Sequence, residues 1–340
     1  MAKIYPKRSR RIAINGFGRI GRTFFRVANS RPELNIVALN DLGDAETLAY
    51  LLKYDTVYGQ YEKEIKADRN KLIVGGKEIA FFQEKDPSKL PWKDLGIDIV
   101  VESTGVFDKY DLAALHLKAG AKRVVISAPA KGVKTILLGV NEEKLKEVKI
   151  SNNGSCTTNA VTPVVAILSE KLGIKKALLN TCHAYTAKQG LVDGPARKDI
   201  RRGRAAASNI VPASTGAAIA VTEAVTALSG LFDGIALRVP IVCGSIADIT
   251  FLASRKTSVT EVNKILEKAS KEKRWKGIIK VSHEALVSSD IVGDLCPCII
   301  DSEFTKVVDG DLVKILAWYD NELAYSWTLV EHVARVAKLL

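Results

Sequence analysis

The sequence predicts an α/β protein with two domains, a first one built on a mostly parallel sheet and a second, α+β one with a mixed or antiparallel sheet. The chain has 340 residues, which is more than one hydrophobic core usually supports. Strand-like and helix-like segments alternate over residues 11–155, as is typical of βαβ units. After residue 155, helices and longer strands occur in groups, which favours an α+β arrangement.

We therefore place the domain boundary at residue 155, with residues 1–155 as the first domain and 156–320 as the second. In the first domain, Asp44 is the expected N-cap of a helix. Gly75 and Gly76 permit the positive φ angles of a two-residue hairpin turn. The predicted strands are residues 12–14, 35–40, 71–74, 77–82, 97–101, 123–127 and 135–140, and the predicted helices are residues 19–30 and 44–54.

The second domain is predicted from apolar runs with helical spacing and from strand-like runs between them. The helices are expected at residues 159–172, 215–228 and 258–273, and the strands at residues 178–185, 235–239, 247–253, 304–308 and 313–319. A last helix at residues 321–340 has one apolar face. That face carries Leu329, Val333, Val336 and Leu340.

The composition is that of a soluble globular protein, with 47% apolar and 26% charged residues. Five cysteines are too few, and odd in number, for a disulfide framework. No apolar run approaches the ~18 residues that span a bilayer, and the N-terminus lacks the apolar stretch of a signal peptide. Cys296 and Cys298 do not have the spacing of a zinc site. We expect a cytosolic protein without a metal and without membrane association.

Positive charge is concentrated in two segments of a chain that carries 50 Lys and Arg against 38 Asp and Glu. One is a basic arm at residues 1–11, and the other is a basic loop at residues 188–204. A basic loop inside a domain can steer anionic substrates, and small phosphorylated molecules are the simplest such partner. A nucleic-acid-binding protein that uses the terminal arm is an alternative, but aromatic residues, which stack on bases, total only 6%.

A glycine motif at residues 16–21 follows a predicted strand and opens a predicted helix. This context is typical of a dinucleotide site, because the glycines allow a tight turn and bring the backbone and the helix N-terminus close to a pyrophosphate. Asp41 ends the next strand, where its carboxylate would accept from the ribose hydroxyls of NAD and repel the extra phosphate of NADP. The predicted cofactor contacts are Asn15, Gly16, Phe17, Gly18, Arg19, Ile20, Gly21 and Asp41.

Cys156 follows a strand and a glycine-containing turn, at the predicted start of a helix. A helix N-terminus and a neighbouring imidazolium both lower the pKa of a thiol, so we expect a reactive thiolate there. The candidate base is His183, on the strand that precedes the basic loop. Cys182 is a poor competitor, because strand alternation turns it to the opposite face.

Six sequence blocks occur in the order found in glyceraldehyde-3-phosphate dehydrogenases, and the resemblance covers residues 11–340. The blocks are residues 14–22, 155–159, 183–186, 212–218, 238–240 and 318–322. The resemblance implies a Rossmann-type NAD-binding domain, a catalytic domain and a last helix that packs back on the NAD-binding domain. It also implies a homotetramer.

The resemblance assigns a role to each remaining candidate residue. Cys156 would be the nucleophile and His183 its base, Asn321 would hold the nicotinamide carboxamide, and Tyr325 would help to position it. The residues matched to the substrate phosphate are Thr186 and Arg238, with Arg202 reaching toward the anions. The residues matched to the attacking inorganic phosphate are Ser155, Thr157, Thr215 and Gly216.

The implied reaction is a step of glycolysis and gluconeogenesis. D-Glyceraldehyde 3-phosphate would be oxidised with NAD and inorganic phosphate to 1,3-bisphosphoglycerate, through a thioester on Cys156. Erythrose-4-phosphate dehydrogenase is an alternative that shares most of this machinery, but Thr186 and the complete second phosphate pattern favour the three-carbon substrate. A Cys-His hydrolase would have no use for the glycine motif, Asp41 or Asn321.

Overall fold

The computed structural model describes residues 9–196 and 199–340, so most of the basic arm and two residues of the basic loop lie outside the described part. The chain divides into two compact units. The first runs to Ile136 and also contains Glu142–Asn153 and Ser326–Leu340. The second contains Leu137–Asn141 and Gly154–Tyr325.

The described part of the first unit is built on an eight-stranded sheet, with the strand order β3-β4-β5-β2-β1-β6-β7-β8. Its strands are β1 Arg10–Asn15, β2 Leu34–Asn40, β3 Ile65–Asp68, β4 Lys71–Val74, β5 Lys77–Phe82, β6 Ile99–Glu102, β7 Arg123–Ile126 and β8 Ile150–Asn152. β1 pairs in parallel with β2 on one side and with β6 on the other. The strand order therefore reverses at β1, which is where doubly wound sheets bind their ligands.

The second unit carries a mixed sheet, with seven strands in the described residues and the order β10-β11-β9-β12-β15-β14-β13. Its strands are β9 Ile174–Ala184, β10 Val211–Ser214, β11 Phe232–Val239, β12 Ser245–Ala253, β13 Ile279–Ser282, β14 Cys298–Val308 and β15 Leu312–Tyr319. Parallel and antiparallel pairs both occur, since β11 runs parallel to β9 and β12 antiparallel to it. The predicted fold class, a parallel-sheet domain followed by a mixed-sheet domain, is confirmed.

The helices of the described residues cover the sheets. They are α1 Arg19–Ala28, α2 Ala45–Lys53, α3 Tyr110–Lys118, α4 Cys156–Leu172, α5 Ala217–Ala224, α6 Val259–Ser270 and α7 Leu323–Lys338. The predicted cap of α2 is confirmed, because the Asp44 side chain accepts from the backbone N–H of Thr47. From Ser326 onward α7 belongs to the first unit, where His332 contacts Ser151 Oγ at 2.8 Å.

A buried polar network lies where the carboxyl ends of β1, β2 and β6 meet. The Asn15 amide donates to Glu102 at 2.6 Å, and its oxygen accepts from Asn40 at 2.7 Å. Because the indole N–H of Trp92 donates to His116 Nδ1 at 3.0 Å, the imidazole proton lies on Nε2, which faces Glu102 at 3.1 Å. The network satisfies its polar groups internally and fixes the strand ends that carry the glycine motif.

One strand prediction is wrong, and four strands or helices of the described residues were missed. Residues 135–140 do not form a strand: Thr135 makes only an isolated bridge, and Gly139 adopts a φ of +71°. The Asn141 side chain accepts from the Leu137 N–H at 2.8 Å and closes a turn. Apolar residues are buried in this turn as they would be in a strand, so their pattern could not distinguish the two. The missed elements are β3, β10, β13 and α3.

Candidate active site

The glycine motif forms a turn, and its three glycines differ in what an added Cβ would contact. Gly16 has a φ of +91°, and a Cβ there would lie 2.6 Å from the Thr104 nitrogen. A Cβ on Gly21 would lie 2.2 Å from the Gly16 oxygen. A Cβ on Gly18 would meet nothing within 4 Å, so this glycine leaves open space beside the first turn of α1. Gly18 is also the N-cap residue of α1, where no side chain caps the helix.

Asp41 supports this turn from the end of β2. Its carboxylate accepts from the N–H of Phe17 at 2.6 Å and from the N–H of Gly43 at 2.9 Å. A carboxylate has about four acceptor positions, so capacity is left for ribose hydroxyls. The open space at Gly18, the uncapped helix end and Asp41 together fit a dinucleotide such as NAD.

The other predicted cofactor residues have structural roles at the same turn. Phe17 is fully buried. Arg19 forms an ion pair with Asp55 and lies over the Tyr58 ring, 5.3 Å from its centroid. Ile20 is half-buried. The side chain of Asn15 belongs to the buried network, so this residue can face a ligand only through its backbone.

The thiol lies at the first residue of α4, and Ser155 caps that helix. The Ser155 hydroxyl accepts from the Thr158 N–H at 3.1 Å, and the Thr158 hydroxyl accepts from the Ser155 N–H at 3.2 Å. This capping box fixes the position of Cys156. Cys156 Sγ lies 3.3 Å from His183 Nε2. The predicted pair of thiol and imidazole therefore comes together within the second unit.

Strand register brings Arg238 to the same place. β11 pairs in parallel with β9, with Arg238 opposite His183. Arg238 Nη1 lies 2.5 Å from His183 Nδ1 and donates to the Ala184 carbonyl at 3.0 Å. His183 Nδ1 itself lies 2.7 Å from that carbonyl. The carbonyl can only accept, which favours a proton on Nδ1, whereas Arg238 can only donate, which favours a lone pair there. The first tautomer is the one that leaves Nε2 as an acceptor facing Cys156.

Burial changes the protonation expected at this site. It raises the pKa of the Cys156 thiol, although Arg238 opposes the change. Burial, and next the positive charge of Arg238, lowers the pKa of His183 to about 3. The expectation of a lowered thiol pKa is therefore wrong, and the site holds a thiol beside a neutral imidazole. The sequence located the helix N-terminus but could not show the desolvation.

Arg238 has unused capacity for an anion. Its Nε is buried without a hydrogen-bond partner among the residues that the structure describes. Arg202, on the neighbouring loop, donates to the Ser214 carbonyl at 3.5 Å and adds a second positive charge that lowers the pKa of His183. Thr186 is half-buried, and its backbone N–H faces the Gln189 side-chain oxygen at 3.4 Å.

The residues matched to inorganic phosphate fall into two groups. Thr215 and Gly216 precede α5. A Cβ on Gly216 would meet nothing within 4 Å, and the Thr215 hydroxyl accepts from the Ala217 N–H at 3.2 Å. Thr157 is buried, and its hydroxyl contacts the Tyr319 hydroxyl at 2.9 Å. The Ser155 hydroxyl is occupied by the capping box. Only the start of α5 offers an open backbone site.

Asn321 and Tyr325 contact loops that border the thiol. The Asn321 side-chain oxygen accepts from the Gly244 N–H at 3.1 Å and from the Ser245 hydroxyl at 2.9 Å. In the described part of the chain no hydrogen bond engages its side-chain nitrogen, so a donor is left that suits the oxygen of a nicotinamide carboxamide. The Tyr325 hydroxyl donates to the Gly154 carbonyl at 3.1 Å, in the turn before Cys156.

Two residues were missed by the sequence reasoning. The Tyr319 hydroxyl contacts those of Thr157 and Thr181 at 2.9 and 2.8 Å, and its ring lies edge-on to His183. Gln189 has a buried side-chain nitrogen without a partner in the described residues. Tyr319 lies within the sequence block at residues 318–322, so the sequence did contain a signal for this residue. For Gln189 the only signal was its position in the basic loop.

Within residues 9–196 and 199–340, no helix is both long and apolar enough to cross a bilayer. The same residues bring together no group of three His, Cys, Asp or Glu side chains that could hold a metal ion.

Comparisons with known proteins identify the family. The model of the glyceraldehyde 3-phosphate dehydrogenase NAD binding domain matches residues 10–110, and that of the C-terminal domain matches residues 155–321. The Thermotoga maritima glyceraldehyde-3-phosphate dehydrogenase is 50% identical over 333 residues, 97% of this chain and 99% of the relative. The Geobacillus stearothermophilus enzyme is 47% identical over 330 residues, 96% and 98% of the two chains.

A eukaryotic relative has comparable similarity. Glyceraldehyde-3-phosphate dehydrogenase 3 of Saccharomyces cerevisiae is 44% identical over 330 residues, 96% of this chain and 99% of the relative. The match to the NAD-binding family model, the named relatives and the glycine turn all indicate that the cofactor is NAD. The chain therefore belongs to the glyceraldehyde-3-phosphate dehydrogenase family of NAD-dependent oxidoreductases, which act on an aldehyde group.

Proposed function

We propose that the chain is a phosphorylating glyceraldehyde-3-phosphate dehydrogenase that works through a thioester on Cys156. The observation that carries the proposal is the group of Cys156, His183 and Arg238, with 3.3 Å between Sγ and Nε2 and 2.5 Å between Nη1 and Nδ1. A nucleophile, a base and a cation for a phosphorylated substrate are thus in direct contact. The domain organisation proposed is residues 1–155 and 156–320, with the helix at residues 321–340 returning to the first domain.

His183 Nε2 takes the Cys156 proton as the sulfur adds to the aldehyde carbon, and the proton passes to the new hydroxyl. The backbone N–H of Cys156, at the start of α4, is directed at the oxygen while it carries negative charge. His183 then accepts the hydroxyl proton as the carbon is oxidised to a thioester. Bound NAD supplies the acceptor for the hydride, and Asn321 would orient its carboxamide.

The substrate phosphate also prepares the base. Burial, and next the charge of Arg238, lowers the pKa of His183 to about 3, and such a base has little driving force to accept a proton. A phosphate dianion that accepts from Arg238, Arg202 and Thr186 neutralises this charge and raises the pKa of His183 toward its ordinary value. Phosphorylated aldehydes therefore make His183 a stronger base than unphosphorylated ones do.

Inorganic phosphate would attack the thioester from the open start of α5, at Thr215 and Gly216. The N-cap Gly216 has no side chain to cover the helix start, and the Thr215 hydroxyl lies beside it on the Ala217 N–H; a helix start of this kind suits an anion. We assign the Ser155 and Thr157 hydroxyls a supporting role, since both are engaged with neighbouring side chains. The acyl phosphate leaves with the phosphoryl oxygen bonded to carbon, and Cys156 recovers its proton from His183.

We further propose a cytosolic homotetramer. The five cysteines are free thiols, which suits a reducing compartment. Several apolar side chains after β9 are strongly exposed, and such exposure often marks subunit contacts. They are Leu191 at 81%, Val192 at 72%, Ile200 at 85% and Ile210 at 68%. Light scattering should give the mass of four chains, and a monomer at micromolar concentration would contradict the assembly.

The function is tested by NADH formation from glyceraldehyde 3-phosphate and from erythrose 4-phosphate, each with and without inorganic phosphate. We expect sustained NADH formation only with the three-carbon substrate, NAD and phosphate together. Equal or higher kcat/KM with erythrose 4-phosphate would favour the alternative substrate. Sustained turnover that does not depend on phosphate would contradict a phosphorylating enzyme.

A further inference from the structure

Two cavities at the amino-terminal end of β1 take no part in the proposed reaction. They are called here the amino-edge cavities. The first has a volume of about 360 Å³ and is lined by Arg10, Arg11, Lys93, Asp98 and Lys122, among others. The second, of about 520 Å³, is also lined by Arg11. They lie at the end of β1 opposite the glycine turn, so they are distinct from the NAD site within the first unit.

The first cavity has more positive than negative charge. Its carboxylate, Asp98, pairs with Lys122 at 2.7 Å and accepts from the Arg11 backbone N–H at 2.9 Å. Among the described residues no carboxylate lies within ion-pair distance of Arg10, Arg11 or Lys93. Four cations therefore border the cavity against the single carboxylate of Asp98, whose charge also acts on Arg10.

The two arginines are held in place by carbonyl groups. Arg10 Nε donates to the Ala337 carbonyl at 3.1 Å, and Arg11 Nε donates to the Leu95 carbonyl at 2.6 Å. Their terminal nitrogens form no hydrogen bond with the part of the chain that the structure describes. Each guanidinium is thus oriented by Nε and retains donors for an anion, which reduces the entropy lost on binding.

Lys93 is fixed by its backbone. It follows the buried Trp92, and its N–H donates to the Ala119 carbonyl at 2.9 Å. A Cβ on Gly120 would lie 2.5 Å from the Lys93 Cβ, so the two segments are in close contact. The backbone of Lys93 is therefore held in a rigid turn, and its exposed side chain extends from that turn.

The second cavity also has more positive than negative charge in its lining. Lys71 is paired with Glu78 at 2.8 Å, but Lys77 has no carboxylate partner in the described residues. Burial lowers the pKa of Lys77, and the neighbouring charges of Lys63 and Arg11 lower it further. Like charges are therefore held close together here, and an anion would relieve their repulsion.

We propose that the amino-edge cavities bind a small oligophosphate anion, with one phosphoryl group at Arg10, Arg11 and Lys93 and the next at Lys77. Arg11 lines both cavities and bridges the two phosphoryl positions. A small ligand fits better than a nucleic acid, because the site consists of concave cavities and no aromatic residue described by the structure lines either of them. Arg10 and Arg11 are the described end of the basic arm, whose charge catalysis does not use.

Calorimetric titration of the full chain with tripolyphosphate tests the proposal. Saturating NAD is present throughout, and inorganic phosphate is left out because it would compete for the same cations. Arg238→Ala, which lacks a cation of the catalytic anion site, is titrated in parallel to count binding there. We expect one tripolyphosphate per chain, and binding that Lys93→Glu or Lys77→Glu weakens by about tenfold or more. Lys89→Glu makes the same charge change at an exposed residue outside the cavity linings, and Cys156→Ala removes the thiol; both should bind like the parent.

Three outcomes would overturn the proposal. Equal weakening by Lys89→Glu and Lys93→Glu would mean diffuse attraction to a basic surface. Parent-like binding by both cavity variants would place the anion elsewhere. A short single-stranded RNA that binds in a Lys93-dependent way, while tripolyphosphate does not bind, would identify a nucleic-acid surface. Melting temperatures of the variants establish whether each is folded. The Lys93 variant should fold, because the Lys93 side chain is exposed and its backbone makes the packing contacts.

Discussion

Helices α1 and α4 each begin at candidate site residues of their own unit, but the N–H groups of their first turns have different partners. At α1 the N-cap is Gly18, no side chain caps the helix, and the space beside it is open. At α4 the N-cap is Ser155, and a capping box with Thr158 satisfies the N–H groups of these two residues. An uncapped end leaves donors for a ligand anion, whereas the capped end holds Cys156 in place. The start of α5 at Gly216 resembles α1 in this respect.

The largest expected effect concerns the cation that joins substrate and base. Arg238→Ala should lower kcat/KM for glyceraldehyde 3-phosphate. The loss should correspond to about 2–5 kcal/mol of activation free energy, because a charge-assisted phosphate contact is lost. With unphosphorylated glyceraldehyde the loss should be small. If both aldehydes lose equally, Arg238 supports the site's structure and the proposed anion role is wrong.

The same variant has a predicted effect on the pH profile. A base must be deprotonated to act, and the charge of Arg238 depresses the pKa of His183. Removing that charge should raise this pKa, so with unphosphorylated glyceraldehyde the acidic limb of the rate profile should move to higher pH. In the parent, phosphorylated substrate should have its acidic limb at higher pH than unphosphorylated substrate. Identical limbs in the parent would contradict the coupling of phosphate to the base.

At α1, two alanine substitutions separate packing from ligand access. Gly21→Ala should destabilise the fold by about 1–3 kcal/mol, because its Cβ would overlap the Gly16 carbonyl. Gly18→Ala should leave the unfolding midpoint unchanged and weaken NAD binding, since its Cβ enters only the open space. Denaturant unfolding and NAD titration give the two readouts. Unchanged NAD affinity in folded Gly18→Ala would mean that the pyrophosphate does not approach this residue.

The carboxylate beside the turn should set cofactor choice. Asp41→Ala should reduce the preference for NAD over NADP by about 1–2 kcal/mol, because the group that accepts from the ribose and repels a 2′-phosphate is gone. Asp41→Asn keeps an acceptor for the Phe17 N–H and removes only the charge. An unchanged preference in both variants, measured by kcat/KM for each cofactor, would reject Asp41 as the selector.

The smallest effect is expected at the capped helix. Ser155→Ala should cost about 1 kcal/mol of unfolding free energy, as the loss of a capping box does, with little change in KM for inorganic phosphate. Ser155→Thr retains the hydroxyl and should recover the stability. A large rise in KM for phosphate without loss of stability would instead support the phosphate-binding role that the family resemblance gives to Ser155.

Local features were predictable from the sequence, whereas contacts between distant strands were not. The glycine turn, Asp44 as a cap and Cys156 at a helix start follow from residues close in the chain. The contact of Arg238 with His183 depends on the register of β11 against β9, which one sequence does not specify. The raised pKa of Cys156 depends on burial by the folded chain, so the thiolate expected from the helix end was wrong.

The central claim is that oxidation leaves an acyl group on Cys156. Mixing the enzyme with NAD and glyceraldehyde 3-phosphate, without inorganic phosphate, should give a burst of one NADH per active chain. Peptide mass spectrometry should then find the acyl group on Cys156, and added phosphate should release it as an acyl phosphate. His183→Asn should slow the burst without moving the acyl group. NADH formation with no adduct, or an adduct on Cys182, Cys243, Cys296 or Cys298, would contradict the mechanism.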